Sequence, residues 1–115
     1  METVRISRHR WWRGKMVKGE SALRMFNGKQ CCLGFVCRHY GATVKDICSA
    51  GMPCYLDEDV QDNLPRWLVA PAGKGQAPVW KAASINDDAS LTEREREAKI
   101  KALFKRHGIR AVFVP

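Results

Sequence analysis

Three of the five cysteines in this 115-residue chain fall within the segment CCLGFVC, residues 31 to 37, and two of them are adjacent. Thiols at this density favour a metal site, a reactive nucleophile or a tightly packed turn. A zinc site would take its ligands from Cys31, Cys32, Cys37, His39, Cys48 and Cys54. The chain contains no CxxC pair, and adjacent cysteines point apart unless the backbone turns sharply. We therefore expect buried cysteines and no cofactor, with structural zinc as the alternative.

Cys32 is also a candidate nucleophile, because apolar residues at helical spacing predict a short helix from Cys32 to Tyr40. Exposed N–H groups at a helix N-terminus favour the thiolate. The segment CLGFV resembles the Cys-Ser-Gly-Phe-Val stretch of NlpC-type cell-wall peptidases, which are papain-like cysteine hydrolases. This resemblance implies an activating histidine, for which His107 is the candidate, since His39 lies about 10 Å further along the same helix. The alternative for His107 is a packing role at the end of a helix.

The net charge of +8 arises in the first 45 residues, where ten Lys or Arg face Glu2 and Glu20, whereas residues 46 to 115 hold ten basic and ten acidic residues. Basic side chains mixed with tryptophan can grip phosphates and stack on bases. The candidate binding residues are Arg5, Arg8, Arg10, Trp11, Trp12, Arg13, Lys15 and Lys18. The alternative is a solvated basic face whose tryptophans turn into the core.

Three strands are predicted. Alternation of apolar and polar residues indicates a half-buried strand over Thr3 to Ser7, and Ser7 suits the N-cap of a short helical turn that carries the tryptophans. Ser21 to Phe26 predicts a second strand before the turn Asn27-Gly28, and Ile109 to Val114 predicts a terminal strand. We expect these strands to form a small, mainly antiparallel sheet.

Two further helices are predicted after the one that begins at Cys32. Thr43 to Ser49 opens with Thr43 and Asp46 at the spacing of a capping box. The longest helix spans about Leu91 to His107, opened by Ser90 or Thr92, and its apolar stripe is Ile100, Leu103, Phe104 and His107. The prolines and glycines between residues 57 and 80 argue against a long regular element, and Pro71 to Pro78 is expected to be a mobile loop.

The order of motifs along the chain is similar to that of a group of small tailed-phage and prophage proteins, which carry a CCLG motif and a later Asn-Asp motif. The matching segments are Trp11-Trp12-Arg13-Gly14, Asn27 to Gly34, Leu64 to Leu68 and Ile85 to Asp88. The resemblance implies no particular activity. It implies that Cys31 and Cys32 close a turn and begin a helix, that Gly34 lets a neighbouring backbone approach, and that Asn86 and Asp87 cap the turn.

We expect residues 1 to 115 to form one α+β domain, with the small sheet packed against the long C-terminal helix and the short helices. The expected function is that of a phage or prophage accessory protein that binds a host protein or nucleic acid through its basic N-terminal face. A cysteine hydrolase and a zinc-stabilised module are the alternatives. The charged opening METVRISRHR and the lack of a long apolar stretch predict a cytosolic protein with no membrane partner, and the resemblance to phage proteins implies that the cytosol is that of a bacterial host.

Overall fold

The two ends of the chain form the sheet. The computed structural model describes residues 1–14, 22–25, 27–48, 50–69 and 77–115. Strand β1 (Glu2–Ser7) pairs with strand β2 (Ile109–Val114) in the register Glu2↔Ile109 to Ser7↔Val114. Val4 and Ile6 are buried while Thr3 and Arg5 are exposed, so the alternation that predicted the first strand is present. Both terminal strands are confirmed.

The prediction of a mainly antiparallel sheet was wrong, because β1 and β2 run parallel and form a two-stranded sheet within the described residues. A third strand was predicted over Ser21 to Phe26, and its described part, residues 22–25, does not join the sheet. Ser21 and Phe26 lie outside the described residues, and between them Leu23 donates its N–H to Ala50 and Met25 to Lys29, in contacts of a loop and a turn. A parallel pair at the chain ends requires a long crossover, which the intervening helices supply.

The helix predicted at the cysteines is confirmed as α1 (Cys32–His39), and Gly41, with φ of 101°, lies just beyond its end. The capping box predicted for the next helix is also present. In α2 (Val44–Ile47), the Thr43 hydroxyl accepts from the N–H of Asp46, and the Asp46 carboxylate accepts from the N–H of Thr43. A short sequence signal was sufficient for the start of α2, because hydrogen bonds between residues three apart decide it.

The stretch 57 to 80 is more regular than predicted. It contains α3 (Glu58–Gln61), a 3₁₀ turn at Arg66–Leu68 and the start of α4 (Pro78–Asp87). Pro78 was placed in the mobile loop, which is wrong, because it is the first residue of α4. Proline is favoured there, since a first-turn N–H has no partner within the helix. Residues 70–76 of that predicted loop lie outside the described residues.

Helix α5 (Glu93–Lys105) is the longest described helix. Of the two predicted caps, Ser90 and Thr92, it is Thr92 that begins the helix, in a capping box with Glu95. Its residues Ile100 and Phe104 are fully buried against β2 and the other helices. The rest of the buried core comes from both strands, from α1, α2 and α4, and from turn and loop residues that include Trp11, Leu23 and Leu68. Among the described residues, no helix is long and apolar enough to cross a membrane.

Candidate functional site

The motifs that stand far apart in the sequence meet at one buried side chain, Asn86, near the end of α4. Its Oδ1 accepts a 2.7 Å hydrogen bond from the indole Nε1 of Trp11 and a 3.0 Å hydrogen bond from the backbone N–H of Cys32. The second bond satisfies one of the N–H groups that have no partner within the first turn of α1. Asn86 therefore caps a helix that begins 54 residues earlier in the chain.

The remaining polar groups of Asn86 are also occupied. Its Nδ2 donates to the carbonyl oxygen of Trp12 and to Oδ1 of Asp87, both at 3.0 Å, and its own carbonyl oxygen accepts from the N–H of Gly14 at 2.7 Å. A buried amide is stabilising when its hydrogen bonds are complete and costly when they are not. This arrangement holds the N-terminal segment, the start of α1 and the end of α4 together.

Gly34 lies in α1, directly against the backbone of a neighbouring segment. A Cβ atom built on Gly34 would stand 1.9 Å from the carbonyl oxygen of Leu23, far inside van der Waals contact. The backbone of Leu23 thus lies against α1 at the one position of that helix that has no side chain. The glycine of the CCLG motif is required by packing.

The thiols at the start of α1 are buried. Burial raises the pKa of Cys31 to about 12, and it raises the pKa of Cys32 well above its ordinary value, with the neighbouring Cys31 and Asp87 acting in the same direction. Cys32 is fully buried, and its Sγ lies 3.9 Å from the carbonyl oxygen of Ala82. Burial therefore outweighs the effect of the helix N-terminus, which by itself would favour a thiolate.

The other predicted ligands and partners are spread over the molecule. Cys37 is buried in the core, and burial raises its pKa to about 12, whereas Cys48 is exposed and Cys54 is half-buried. His39 lies 2.5 Å from a carboxylate oxygen of Glu2. Within the ranges that the structure describes, no three His, Cys, Asp or Glu side chains converge in a group suited to a metal ion.

His107, the candidate partner of Cys32, lies just after α5. Its ring stacks on Trp67, with centroids 4.8 Å apart and planes inclined by 21°. Trp67 also contacts Phe104, with ring centroids 5.8 Å apart. The contacts of Cys32 and His107 are thus to different neighbours, and no hydrogen bond between their side chains is found in the described part of the chain.

Two of the predicted binding arginines are engaged within the protein. Arg8 donates from Nε and Nη2 to the two carboxylate oxygens of Glu97, both at 2.8 Å. Arg13 donates to Glu93 at 2.7 Å, and its guanidinium carbon lies 4.6 Å from the centre of the Trp11 ring. The basic N-terminal segment is thus partly neutralised by the acidic first turns of α5.

The tryptophans of the basic segment are also packed in or near the protein core. Trp11 is 1 % exposed and packs on Phe113, with ring centroids 4.8 Å apart. Trp12 is half-buried, and its backbone N–H donates to Gln30 at 2.8 Å. Lys15 and Lys18 lie outside the described residues. Of the predicted binding residues that are described, Arg5 and Arg10 are the exposed ones.

Arg5 lies in a basic cleft on the outer face of the sheet. Thr3, Arg5, His39, Arg110 and Val112 line this space, which we call the sheet cleft, and its volume is about 630 Å³. Arg5 and Arg110 make no ion pair with any described residue. Sequence reasoning missed Arg110 because its place beside β1 depends on the parallel register, which pairs Thr3 with Arg110.

Arg10 lies in a second basic cleft beside the turn that precedes α1. This turn cleft, lined by His9, Arg10, Asn27, Gly28 and Lys29, has a volume of about 330 Å³. Its walls are held together by hydrogen bonds, because the N–H of Gln30 donates to the carbonyl of Arg10, and the Asn27 side chain accepts from the N–H of Lys29. Gly28 has φ of 86°, a conformation that favours glycine and makes the tight reversal possible.

Comparison with known proteins finds no matching family model, no similar curated protein and no similar solved structure.

Proposed function

We propose that the protein is a non-enzymatic binding protein that engages an anionic macromolecule through the sheet cleft and the turn cleft. The observation that carries this proposal is that some arginines form ion pairs within the protein and others do not. Arg8 and Arg13 are paired with Glu97 and Glu93, whereas Arg5 and Arg110 stand exposed beside each other without an acidic partner among the described residues. Unpaired guanidinium groups at a surface recognise carboxylates and phosphates with two parallel hydrogen bonds.

A binding role also accounts for the buried thiols. A cysteine nucleophile requires an accessible thiolate. Burial raises the pKa of Cys32 and so disfavours its thiolate. The packing of Gly34 and the hydrogen bonds of Asn86 account for the CCLG and Asn-Asp motifs through the stability of the fold. The proposal therefore assigns the motif residues to structure and the exposed arginines to recognition.

The setting belongs to the same proposal. The resemblance to small tailed-phage and prophage proteins supports an accessory role in the cytosol of a bacterial host, where the anionic partner is a host macromolecule. Two classes of partner carry the required charge, which are nucleic acids and acidic proteins. Both are included in the test.

The test is fluorescence anisotropy at low salt with two labelled probes, a single-stranded oligonucleotide and a polyglutamate peptide. Wild-type protein is expected to bind at least one of them with an affinity that falls as salt rises, because the contacts are electrostatic. Arg5→Glu combined with Arg110→Glu should weaken that binding by about tenfold or more. The control combines Lys45→Glu with Lys81→Glu, which changes the net charge equally at exposed positions of α2 and α4.

Absence of binding to both probes at low salt would overturn the proposal. It would also fail if the control pair weakened binding as much as the arginine pair, because the clefts would then have no special role. Circular dichroism of all variants establishes that each is folded before its affinity is measured.

A further inference from the structure

The outer edge of β2 presents a row of backbone groups that β1 does not use. In a parallel pair, alternate residues of a strand turn both their N–H and C=O toward the neighbour. The N–H of Glu2 donates to the carbonyl of Gly108. In the register of this pair, the backbone N–H and C=O groups of Arg110 and Val112 therefore also point toward β1. Ile109, Ala111 and Phe113 therefore direct their backbone groups away from it. No other described residue forms a backbone hydrogen bond with these three.

No described strand pairs with this edge, which lies in a groove of about 400 Å³. The groove is lined by Met1, Lys101, Lys105 and the β2 residues from Ile109 to Phe113. The side chains of Ile109, Ala111 and Phe113 are buried in the core, which fixes the strand and leaves its backbone edge outward. The edge is thus a rigid row of donors and acceptors rather than a frayed terminus.

The groove is strongly basic. Lys101 and Lys105 are exposed one helical turn apart on α5, and the Lys101 ammonium lies 5.7 Å from the centre of the Phe113 ring. Arg110 is exposed on the outer face of the same strand. None of these three makes an ion pair with a described residue. Positive charge therefore lies along the edge and on the outer face of β2.

We propose that the anionic partner is a protein, and that an extended acidic segment of it adds to the free edge of β2 as a third strand. This inference rests on the proposed function and names the class of its partner. Strand addition supplies affinity through main-chain hydrogen bonds and specificity through side chains on either face. A nucleic acid lacks the alternating N–H and C=O groups that match this row. A second copy of the chain would bring lysines against lysines, which repel.

Lysine beside an edge strand has another common role, which is to discourage pairing with other chains. The two roles differ in the strand that they favour. A lysine at the edge discourages pairing with an apolar strand but attracts an acidic strand. Reversing the charge of the lysines should therefore weaken the binding of an acidic strand.

The test uses a fluorescein-labelled peptide that alternates glutamate and threonine, together with two N-methylated forms of it. One form carries methyl groups on the glutamate nitrogens and the other on the threonine nitrogens. Because a strand turns alternate N–H groups to one side, only one of the two forms loses its bonds to β2. We expect that form to bind about tenfold or more weakly, and the other to bind like the parent peptide.

The protein variants supply the second readout. Lys101→Glu combined with Lys105→Glu should weaken the parent peptide by about tenfold, and the pair Lys45→Glu with Lys81→Glu should leave it nearly unchanged. Strand addition is overturned if both methylated forms bind like the parent peptide, or if both lose affinity equally. It is also overturned if the protein binds the oligonucleotide but not the peptide. In those cases the proposed function still stands if the Arg5 and Arg110 substitutions weaken the bound probe. If no probe binds, both proposals fail.

Discussion

Asn86 and Cys32 lie 54 residues apart in the chain, and a hydrogen bond of 3.0 Å joins the side-chain oxygen of Asn86 to the backbone N–H of Cys32. The same oxygen accepts from the indole of Trp11. One buried amide therefore sets the start of α1, the position of the tryptophan segment and the end of α4. Removing it leaves several buried polar groups without partners.

Asn86→Ala should lower the free energy of unfolding by about 3 kcal/mol, because the N–H groups of Cys32 and Trp11 lose their acceptor in a buried site. Urea unfolding followed by circular dichroism measures the change. The control is Asn63→Ala, whose side chain makes an exposed hydrogen bond to Asp59, and it should cost less than about 0.5 kcal/mol. Equal effects of the two substitutions would contradict the role given to Asn86.

Gly34→Ala should lower the free energy of unfolding by about 3 kcal/mol or more. The new methyl group would meet the carbonyl oxygen of Leu23, and backbone atoms of a packed segment cannot move aside cheaply. Gly51→Ala is the matched control, since no atom lies within 4 Å of the added Cβ. Thermal melts of both variants decide the point, and a Gly34→Ala protein as stable as wild type would show that α1 and Leu23 are further apart.

The elements that local signals control were predictable from the sequence. Thr43 with Asp46 and Thr92 with Glu95 form capping boxes between residues three apart, so no knowledge of the rest of the fold is needed to recognise them. Helix α4 was not predicted, because Pro78 was treated as a helix breaker, although the first turn of a helix is the place where proline fits.

The sheet and the clefts depend on contacts that span the whole chain. The parallel register that sets Thr3 beside Arg110 joins the two terminal strands, and neither strand carries a mark of its orientation.

The distribution of surface charge also depends on contacts between distant residues. The excess of basic residues near the N-terminus was correctly counted, but the bidentate contact of Arg8 with Glu97 removes part of it from the surface. Arg5 and Arg10 were included among the candidates, whereas their neighbours Arg110 and Lys29 were not.

Cys37 should give the protein a stability that declines in alkaline solution. Burial raises its pKa from 9.0 to about 12, so the unfolded chain loses this proton first as pH rises. The stabilising contribution is complete below about pH 9 and is lost as pH rises toward 12. The stability difference between wild type and Cys37→Ala should shrink by about 1.4 kcal/mol between about pH 8 and pH 10. A stability difference between wild type and Cys37→Ala that stays constant over this pH range would contradict the burial of Cys37.

Iodoacetamide should label Cys48 first in the native protein, and Cys31, Cys32 and Cys37 only after unfolding. Mass spectrometry of the peptides identifies the modified positions. Cys32→Ser should cost about 1 to 2 kcal/mol, because a hydroxyl replaces a weakly polar thiol in an apolar site, and Cys32→Ala should cost less. Rapid labelling of Cys32 near pH 6 with unchanged melts would instead favour the cysteine hydrolase.

The separation of stability from binding tests the whole account most directly. We measure the unfolding free energy and the affinity for the tighter anionic probe in two variants, Asn86→Ala and the pair Arg5→Glu with Arg110→Glu, at a temperature where both are folded. The account predicts that Asn86→Ala loses about 3 kcal/mol of stability and keeps its affinity within about twofold, whereas the arginine pair keeps its stability and loses about tenfold in affinity. The reverse pattern would contradict it, with the arginine pair binding normally and folded Asn86→Ala protein failing to bind.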